Sequence, residues 1–139
     1  METYVDTGIV QLGYVHLAFL GQESLWAAEA SECAAEQNSF WEFYEMLYSF
    51  PSRENRAAFT KEGLKLIAAE LGLNTAQFDQ CMDEGKYAAQ IQEDVSLANS
   101  LSITSTPSFM VNGMLVKGAL PFENFQQIIE QLLAESSVN

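Results

Sequence analysis

The first long apolar stretch of the chain, residues 9–20, carries β-branched, aromatic and aliphatic side chains at both odd and even positions and few charges. A strand that is apolar on both faces is typical of the interior of a sheet with helices packed on either side. The pattern therefore predicts a strand over Ile9–Leu20.

Five helices are predicted between residues 23 and 101, because apolar side chains recur there at helical spacing. In the third of them, for example, Leu64, Ile67 and Leu71 share one face. A polar stretch, residues 50–59, is predicted to connect the second helix to the third.

Aromatic side chains are concentrated around the second predicted helix, and they are predicted to form the core of the helical region. The alternative is an exposed groove for peptides, which would form a contiguous apolar patch on the surface. The aromatic side chains in question are Trp26, Phe40, Trp41, Phe43, Tyr44, Tyr48 and Phe50.

The C-terminal part of the chain has a different pattern. Asn112-Gly113 is the strongest short hairpin signal, and it predicts a turn between strands over Thr106–Val111 and Met114–Lys117. A last helix with a wide apolar face is predicted to begin near Pro121. A strand, a helical region, a hairpin and a helix in this order indicate an α/β fold with a helical insertion.

The length of 139 residues indicates one domain, and a hydrophobic content of 48% allows a core without metals. Six basic and 19 acidic residues give a net charge of −13 at pH 7. Because such a surface repels phosphate groups, nucleic acid and membrane surfaces are excluded as expected partners.

Targeting signals are not evident in the sequence. The first residues, Met1–Asp6, lack the basic and apolar regions of a secretion signal, and no apolar run approaches the roughly 20 residues that span a bilayer. The chain as written is therefore expected in the cytoplasm. A start upstream of Met1 would remove the basis for that expectation.

Few side chains offer catalytic chemistry. The chain has two cysteines, Cys33 and Cys81, and one histidine, His16, which lies in an apolar stretch and is predicted to be packed rather than catalytic. One histidine and two separated cysteines do not make a zinc-ligand cluster. No metal, cofactor or phosphate-binding glycine loop is predicted.

Several motifs together resemble one family. Thr104–Gly113 resembles the cis-proline loop and hairpin of DsbA-like thioredoxin proteins, and Gly118–Pro121 with the helix after it resembles their C-terminal end. Ser24–Ala30 and Phe40–Glu42 resemble the start of their inserted helical domain. The similarity runs from about Tyr4 to Leu133 and covers nearly the whole chain.

The resemblance implies an α/β, thioredoxin-like (DsbA-like) fold in a single domain, residues 1–139, with a helical subdomain inserted at residues 23–101. In the family, a first strand and a helix with a Cys-x-x-Cys motif precede the strand that is predicted here over Ile9–Leu20. This chain has no Cys-x-x-Cys motif. The resemblance therefore implies a fold that lacks the first strand and the catalytic helix, with no catalytic residue of its own.

The resemblance also assigns roles to four residues. Thr106 and Pro107, joined by a cis peptide bond, would face an extended polypeptide substrate. Cys33 and Cys81 would form a structural disulfide within the helical insertion. Two buried thiols are the alternative, which the absence of an export signal favours, and a redox-active pair is a third interpretation.

Two functions follow from the resemblance. In the first, the chain is a member of the thiol–disulfide oxidoreductase family, or a piece of one, and this chain by itself is redox-inactive. The second is a non-catalytic module that binds peptides or dimerises through the loop at Pro107. The absent strand would leave two strand edges unpaired, so we expect a second copy to cover them or the two strands to pair directly. Family members typically act outside the cytoplasm, where this chain would also belong if its true start lies upstream.

Overall fold

The computed structural model describes residues 3–49 and 59–136. The elements in chain order are helices α1 (Gln22–Ala35), α2 (Phe40–Ser49), α3 (Lys61–Glu70), α4 (Thr75–Glu84) and α5 (Ala88–Ser100), strands β1 (Ser108–Val111) and β2 (Met114–Lys117), and helix α6 (Phe122–Ser136). The five predicted helices, the hairpin and the last helix are confirmed. Apart from Phe59, the connection predicted over residues 50–59 lies outside the described residues.

The chain divides into two compact units, residues 1–97 and residues 98–139. The first unit holds the N-terminal segment, α1 to α4 and most of α5. The second unit holds the hairpin and α6.

The N-terminal apolar segment has no regular secondary structure over residues 10–19, so the prediction of a strand over Ile9–Leu20 is wrong. A strand exists only where a neighbouring strand pairs with its backbone N–H and C=O groups, and an apolar pattern does not supply that neighbour. In the part of the chain that the structure describes, the sheet consists of β1 and β2 alone. The direct pairing of the segment with the hairpin, which was one expected way to cover the edges, is therefore absent from this sheet.

His16 fastens the N-terminal segment to two helices of the first unit. Its backbone N–H donates to the Asp94 carboxylate on α5 at 2.9 Å, and its side-chain Nε2 lies 2.8 Å from Glu32 Oε1 on α1. Much of the remaining apolar surface of the segment is exposed, as shown by Ile9, Leu12, Tyr14, Val15, Phe19 and Leu20.

Local sequence signals set the ends of α3 and α4. The Thr60 hydroxyl accepts the N–H of Gly63 at 3.2 Å, and the Asn74 side chain accepts the N–H of Gln77 at 3.1 Å. These side chains satisfy N–H groups that have no partner within the first turn of a helix. Gly85 ends α4 in the left-handed conformation, with φ of 60°, which glycine adopts without a steric penalty.

The core of the first unit is formed by α1, α2, α3 and α4 around a disulfide. Cys33 on α1 and Cys81 on α4 are bonded, with their Cα atoms 5.9 Å apart. The rings of Phe43 and Phe78 pack nearby, with centroids 5.5 Å apart. The buried residues of this core are Ala30, Cys33, Ala34, Phe43, Leu64, Ile67, Ala68, Phe78, Cys81 and Met82.

The second unit is a hairpin with one amphipathic helix. Asn112 and Gly113 have φ angles of 46° and 86°, as a two-residue turn with both central residues left-handed requires. The turn sets the register that pairs Phe109 with Val116 and Val111 with Met114. The Phe109 ring packs on Phe125 of α6 at a centroid distance of 4.7 Å.

Within the part of the chain that the structure describes, no helix combines the length and the apolar composition that crossing a bilayer demands.

We expect reduction of the disulfide to destabilise the first unit. Cys33 and Cys81 are 48 positions apart, and opening a loop of that length lowers the free energy of unfolding by about 4 kcal/mol in the chain-entropy model. The measurement is urea unfolding followed by circular dichroism, with and without dithiothreitol. A variant with Cys33→Ala and Cys81→Ala should unfold at the same urea concentration under both conditions. Equal midpoints for the oxidised and reduced wild-type chain would contradict this expectation.

Candidate functional site

The predicted substrate-facing residues lie in an exposed loop that leads into β1. The peptide bond between Thr106 and Pro107 is cis. Both side chains are exposed to solvent, as are those of Thr104 and Ser105 before them. The contact of Thr106 and Pro107 with a substrate remains a prediction from the family resemblance.

The backbone of this loop is only partly hydrogen-bonded. The Ser108 hydroxyl donates to the Ser105 carbonyl at 2.7 Å, and the Gly118 N–H donates to the Pro107 carbonyl at 2.9 Å. Between these fixed points, the N–H and C=O of Thr106 have no hydrogen-bond partner within residues 3–49 and 59–136. An exposed residue with both backbone groups free can pair with an extended peptide, as strand edges do.

The two cysteine sulfur atoms of the chain are bonded to each other and are not free thiolates. Thiol–disulfide exchange requires a thiolate, and Cys33 and Cys81 are joined to each other. Their exposed fractions are 1% and 4%, so the disulfide lies in the core of the helical unit. With no further cysteine in the sequence, the chain has no free thiol in this state.

A polar cluster lies on the solvent side of Cys81. Glu36 accepts hydrogen bonds from the Lys86 ammonium and from the Tyr87 hydroxyl, the latter at 2.7 Å. The Lys86 bond, followed by that of Tyr87, lowers the pKa of Glu36, and the bond to Glu36 raises the pKa of Tyr87 to about 12. Glu36 therefore stays ionised and Tyr87 stays neutral near pH 7, and the cluster joins the end of α1 to the end of α4.

His16 is held between carboxylates. It is buried, and its partners are the Glu32 side chain and the Asp94 side chain. This arrangement fastens a loop segment and includes no nucleophile. In the described part of the chain, no three His, Cys, Asp or Glu side chains are placed to hold a metal ion.

The aromatic side chains that were predicted as core are mostly outside it. Of the described members, only Phe43 is fully buried. Phe40, Trp41 and Tyr44 are half-buried, and 69% of Tyr48 is exposed. Trp26 packs at the margin of the core, and Phe50 lies outside the described residues. The prediction that this group forms the core is therefore confirmed for Phe43, wrong for Tyr48 and only partly right for Trp26, Phe40, Trp41 and Tyr44.

Five rings instead form a surface that we call the aromatic cluster: Tyr14, Phe40, Trp41, Tyr44 and Tyr48. Tyr14 lies at its centre, with its ring centroid 5.3 Å from that of Phe40 and 5.6 Å from that of Tyr44. Most of the pairs meet edge to face or tilted, which is the favoured geometry for aromatic rings. Burial, and after it the neighbouring Tyr48, raises the pKa of Tyr14, so its hydroxyl stays neutral.

A signal for the aromatic cluster was present in the sequence of α2. At 100° per residue, Phe43 and Leu47 point to one side of the helix, while Phe40, Tyr44, Tyr48 and Trp41 continue the apolar surface well beyond it. Packing in the core buries only part of so wide an apolar face. The other apolar side chains of α2 either pack against another segment or lie at the surface.

Comparisons with known proteins agree with the fold. A family model described as Thioredoxin matches residues 1–131. The probable disulfide bond formation protein D of Bacillus anthracis is 29% identical over 136 residues, which are 95% of this chain and 62% of that protein.

Solved structures agree as well. A thioredoxin-like oxidoreductase from Silicibacter pomeroyi has a TM-score of 0.78 and 28% identity, and the match covers 96% of this chain and 75% of that one. BdbD from Bacillus subtilis, in its oxidised form, has a TM-score of 0.81 and 26% identity, with 94% of this chain and 72% of that one covered.

The chain thus spans about three fifths of the length of the curated relatives that it matches. The family model covers most of the chain, and the relative from Bacillus anthracis is named a probable disulfide bond formation protein. This chain belongs to the thioredoxin family, among its DsbA-like disulfide oxidoreductases.

Proposed function

We propose that this chain is the polypeptide-binding part of a DsbA-like disulfide oxidoreductase, and that the redox-active thiols of the complete protein lie in a segment outside it. In the family's reaction, a thiolate attacks one sulfur of a disulfide, the S–S bond breaks, and the other sulfur leaves as a thiolate. On this proposal, the chain holds the polypeptide while another segment supplies the attacking sulfur.

The observation that carries the polypeptide-binding role is the free backbone of Thr106. Its N–H and C=O are exposed and lack partners among the described residues, while Ser105 and Pro107 on either side are each fixed by a hydrogen bond. Two backbone hydrogen bonds to Thr106 would hold a substrate in extended form whatever its side chains. Such binding suits an enzyme that accepts many unfolded substrates.

The disulfide supports the second half of the proposal, that the chain alone is redox-inactive. An external thiolate would have to reach a sulfur that is packed among α1 and α4. Buried structural disulfides resist reduction because neither sulfur is accessible to the attacking group. The core disulfide therefore acts as a structural cross-link between α1 and α4.

The same disulfide favours an oxidising compartment for the mature protein. Disulfides are rare in proteins that remain in a reducing cytoplasm. We propose that the complete protein is exported, in place of the cytoplasmic location expected from the sequence as written. Two thiols titrated in protein isolated from its own cells would contradict this proposal.

The exposed side chains of residues 9–20 indicate where a further segment would pack. Large apolar side chains lie open there, and Leu20 is 78% exposed. Water contact over a row of such groups is unfavourable by roughly 25 cal/mol per Å². We propose that in the complete protein the segment with the redox-active thiols covers the side chains of this row other than Tyr14, whose ring packs on Phe40 and Tyr44, and that a second copy takes this place in the isolated chain.

We expect this chain to bind an extended, cysteine-free model peptide through backbone hydrogen bonds. Methylation of the one peptide nitrogen that donates to the Thr106 carbonyl should weaken binding by about 3- to 10-fold, the effect of one hydrogen bond. The measurement is fluorescence anisotropy on a series of peptides, each with one N-methyl group. The variant Thr106→Val keeps the backbone and the shape of the side chain, and it should bind within about 2-fold of wild type by the same reasoning. Equal affinities across the N-methyl series would contradict the role of Thr106.

We expect no acceleration of insulin disulfide reduction by the isolated chain with dithiothreitol as the electron donor, because neither sulfur can be reached. The variant with Cys33→Ala and Cys81→Ala serves as the control and should give the same curve as wild type and as buffer. If the wild-type chain accelerates the reduction and the variant does not, Cys33 and Cys81 are a redox pair.

We expect the isolated chain to self-associate through residues 9–20. Light scattering should give a molar mass above the 15.4 kDa of one chain. Changing Phe19 and Leu20 together to Ser should restore the monomer, because it removes the two side chains at the end of this apolar row. Leu66→Ser alters a comparably exposed leucine on α3 and should leave the mass unchanged. A wild-type chain that stays monomeric at micromolar concentrations would contradict this expectation.

A further inference from the structure

We propose that the aromatic cluster is a docking surface for a basic, extended stretch of polypeptide. The inference rests on the proposed function, since it names the charge class of the polypeptide that the chain holds. It concerns the first unit by itself and uses neither the loop at Pro107 nor the disulfide.

The rings of the aromatic cluster are available at the surface. Tyr48 is 69% exposed and Tyr14 is 42% exposed, with Phe40, Trp41 and Tyr44 half-buried beneath and beside them. An aromatic face carries negative electrostatic potential and attracts the ammonium of lysine and the guanidinium of arginine. Neighbouring rings at centroid distances near 5 to 6 Å, as between Tyr14 and Phe40 at 5.3 Å, give a cation several such faces within reach.

The charged side chains of α2, Glu42 and Glu45, are both acidic. Residues 1–52 contain eight of the 19 acidic residues of the chain and none of its six basic ones. Glu42 and Glu45 are exposed on α2, the helix that supplies four of the five rings. At 100° per residue, Glu45 lies about 40° beyond Trp41 and about 60° beyond Tyr48 around the helix axis, directly at the margin of the rings.

Among the described residues, the basic side chains of the first unit contact other groups. His16, whose ring centroid lies 5.0 Å from that of Tyr14, is buried and faces Glu32. The lysines of the described first unit bind other groups: Lys61 binds the Met82 carbonyl, Lys65 binds Asp83 and Lys86 binds Glu36. Within residues 3–49 and 59–136, Glu42 and Glu45 take part in no ion pair.

Exposed rings beside carboxylates that have no ion-pair partner among the described residues are complementary to a peptide with several lysine or arginine side chains. The rings would take the cationic groups and the aliphatic stems of these residues, and Glu42 and Glu45 would add charge attraction at the margin. A neutral apolar peptide would use the rings alone. An acidic peptide would be repelled by a chain with a net charge of −13.

The test compares three peptides of equal length, identical apart from several positions that are all Lys, all Gln or all Glu. Fluorescence anisotropy at low salt should show the lysine peptide binding about 10-fold more tightly than the glutamine peptide, and the glutamate peptide most weakly. Changing Glu42 and Glu45 to Gln should lower the affinity for the lysine peptide by about 3- to 10-fold and leave the affinity for the glutamine peptide unchanged. The variant Tyr48→Leu keeps an apolar group and removes the ring. It should lower the affinity for the lysine peptide by about 2- to 5-fold.

A matched variant separates a local effect from the overall charge. Glu62 and Glu70 are exposed on α3, away from the rings, and changing both to Gln removes the same two charges. That variant should bind the lysine peptide within about 2-fold of wild type. If the α2 and α3 double variants lose the same affinity for the lysine peptide, net charge alone attracts the peptide, and the inference is overturned.

The peptide series also distinguishes this inference from the proposed function. If all three peptides bind with equal affinity, the docking surface for basic segments is wrong and the polypeptide-binding role stands. If none of the three binds at all, the polypeptide-binding role and the inference both fail. Circular dichroism of each variant checks that the helices of the first unit are unchanged, so that a loss of affinity reports on the surface.

Discussion

The disulfide between Cys33 and Cys81 joins α1 to α4 at the centre of the first unit. Phe43, Phe78 and the apolar residues of α3 pack around it, so the helices that carry the rest of the unit have one fixed arrangement. His16 and Glu32 depend on that arrangement, since Glu32 lies on α1 one residue before Cys33. The disulfide thus holds the helical scaffold and joins the two cysteine sulfur atoms of the chain to each other.

A second constraint is that backbone polar groups require hydrogen-bond partners and that large apolar side chains are unfavourable in water. The N–H and C=O of Thr106, at the entrance to β1, have no partner among the described residues, and residues 9–20 have apolar side chains exposed to water. Both features belong to a chain that spans about three fifths of its curated relatives. They are the observations from which we propose that the chain receives another polypeptide, whether a substrate or a further part of the same protein.

Helix α2 serves two surfaces at once because its apolar face is wider than core packing requires. Phe43 is buried against Phe78, while the rings of Phe40, Tyr44 and Tyr48 continue around the helix to the exposed cluster. Tyr14 from the N-terminal segment completes that cluster, and Glu45 borders it. Packing and recognition are thereby built on one rigid element, which fixes the positions of the exposed rings.

The sequence by itself determined the elements whose causes are local. Helical periodicity, the caps at Thr60 and Asn74 and the turn at Asn112-Gly113 act within a few residues, so these elements could be predicted with their ends. The tertiary structure decided what depends on distant partners. Ile9–Leu20 has the side chains of a strand but no paired neighbour in the described sheet, and Tyr48 has those of a core residue but lies on the outer side of α2. A strand requires a hydrogen-bonded neighbour and burial requires a facing surface, and neither is specified by the residues themselves.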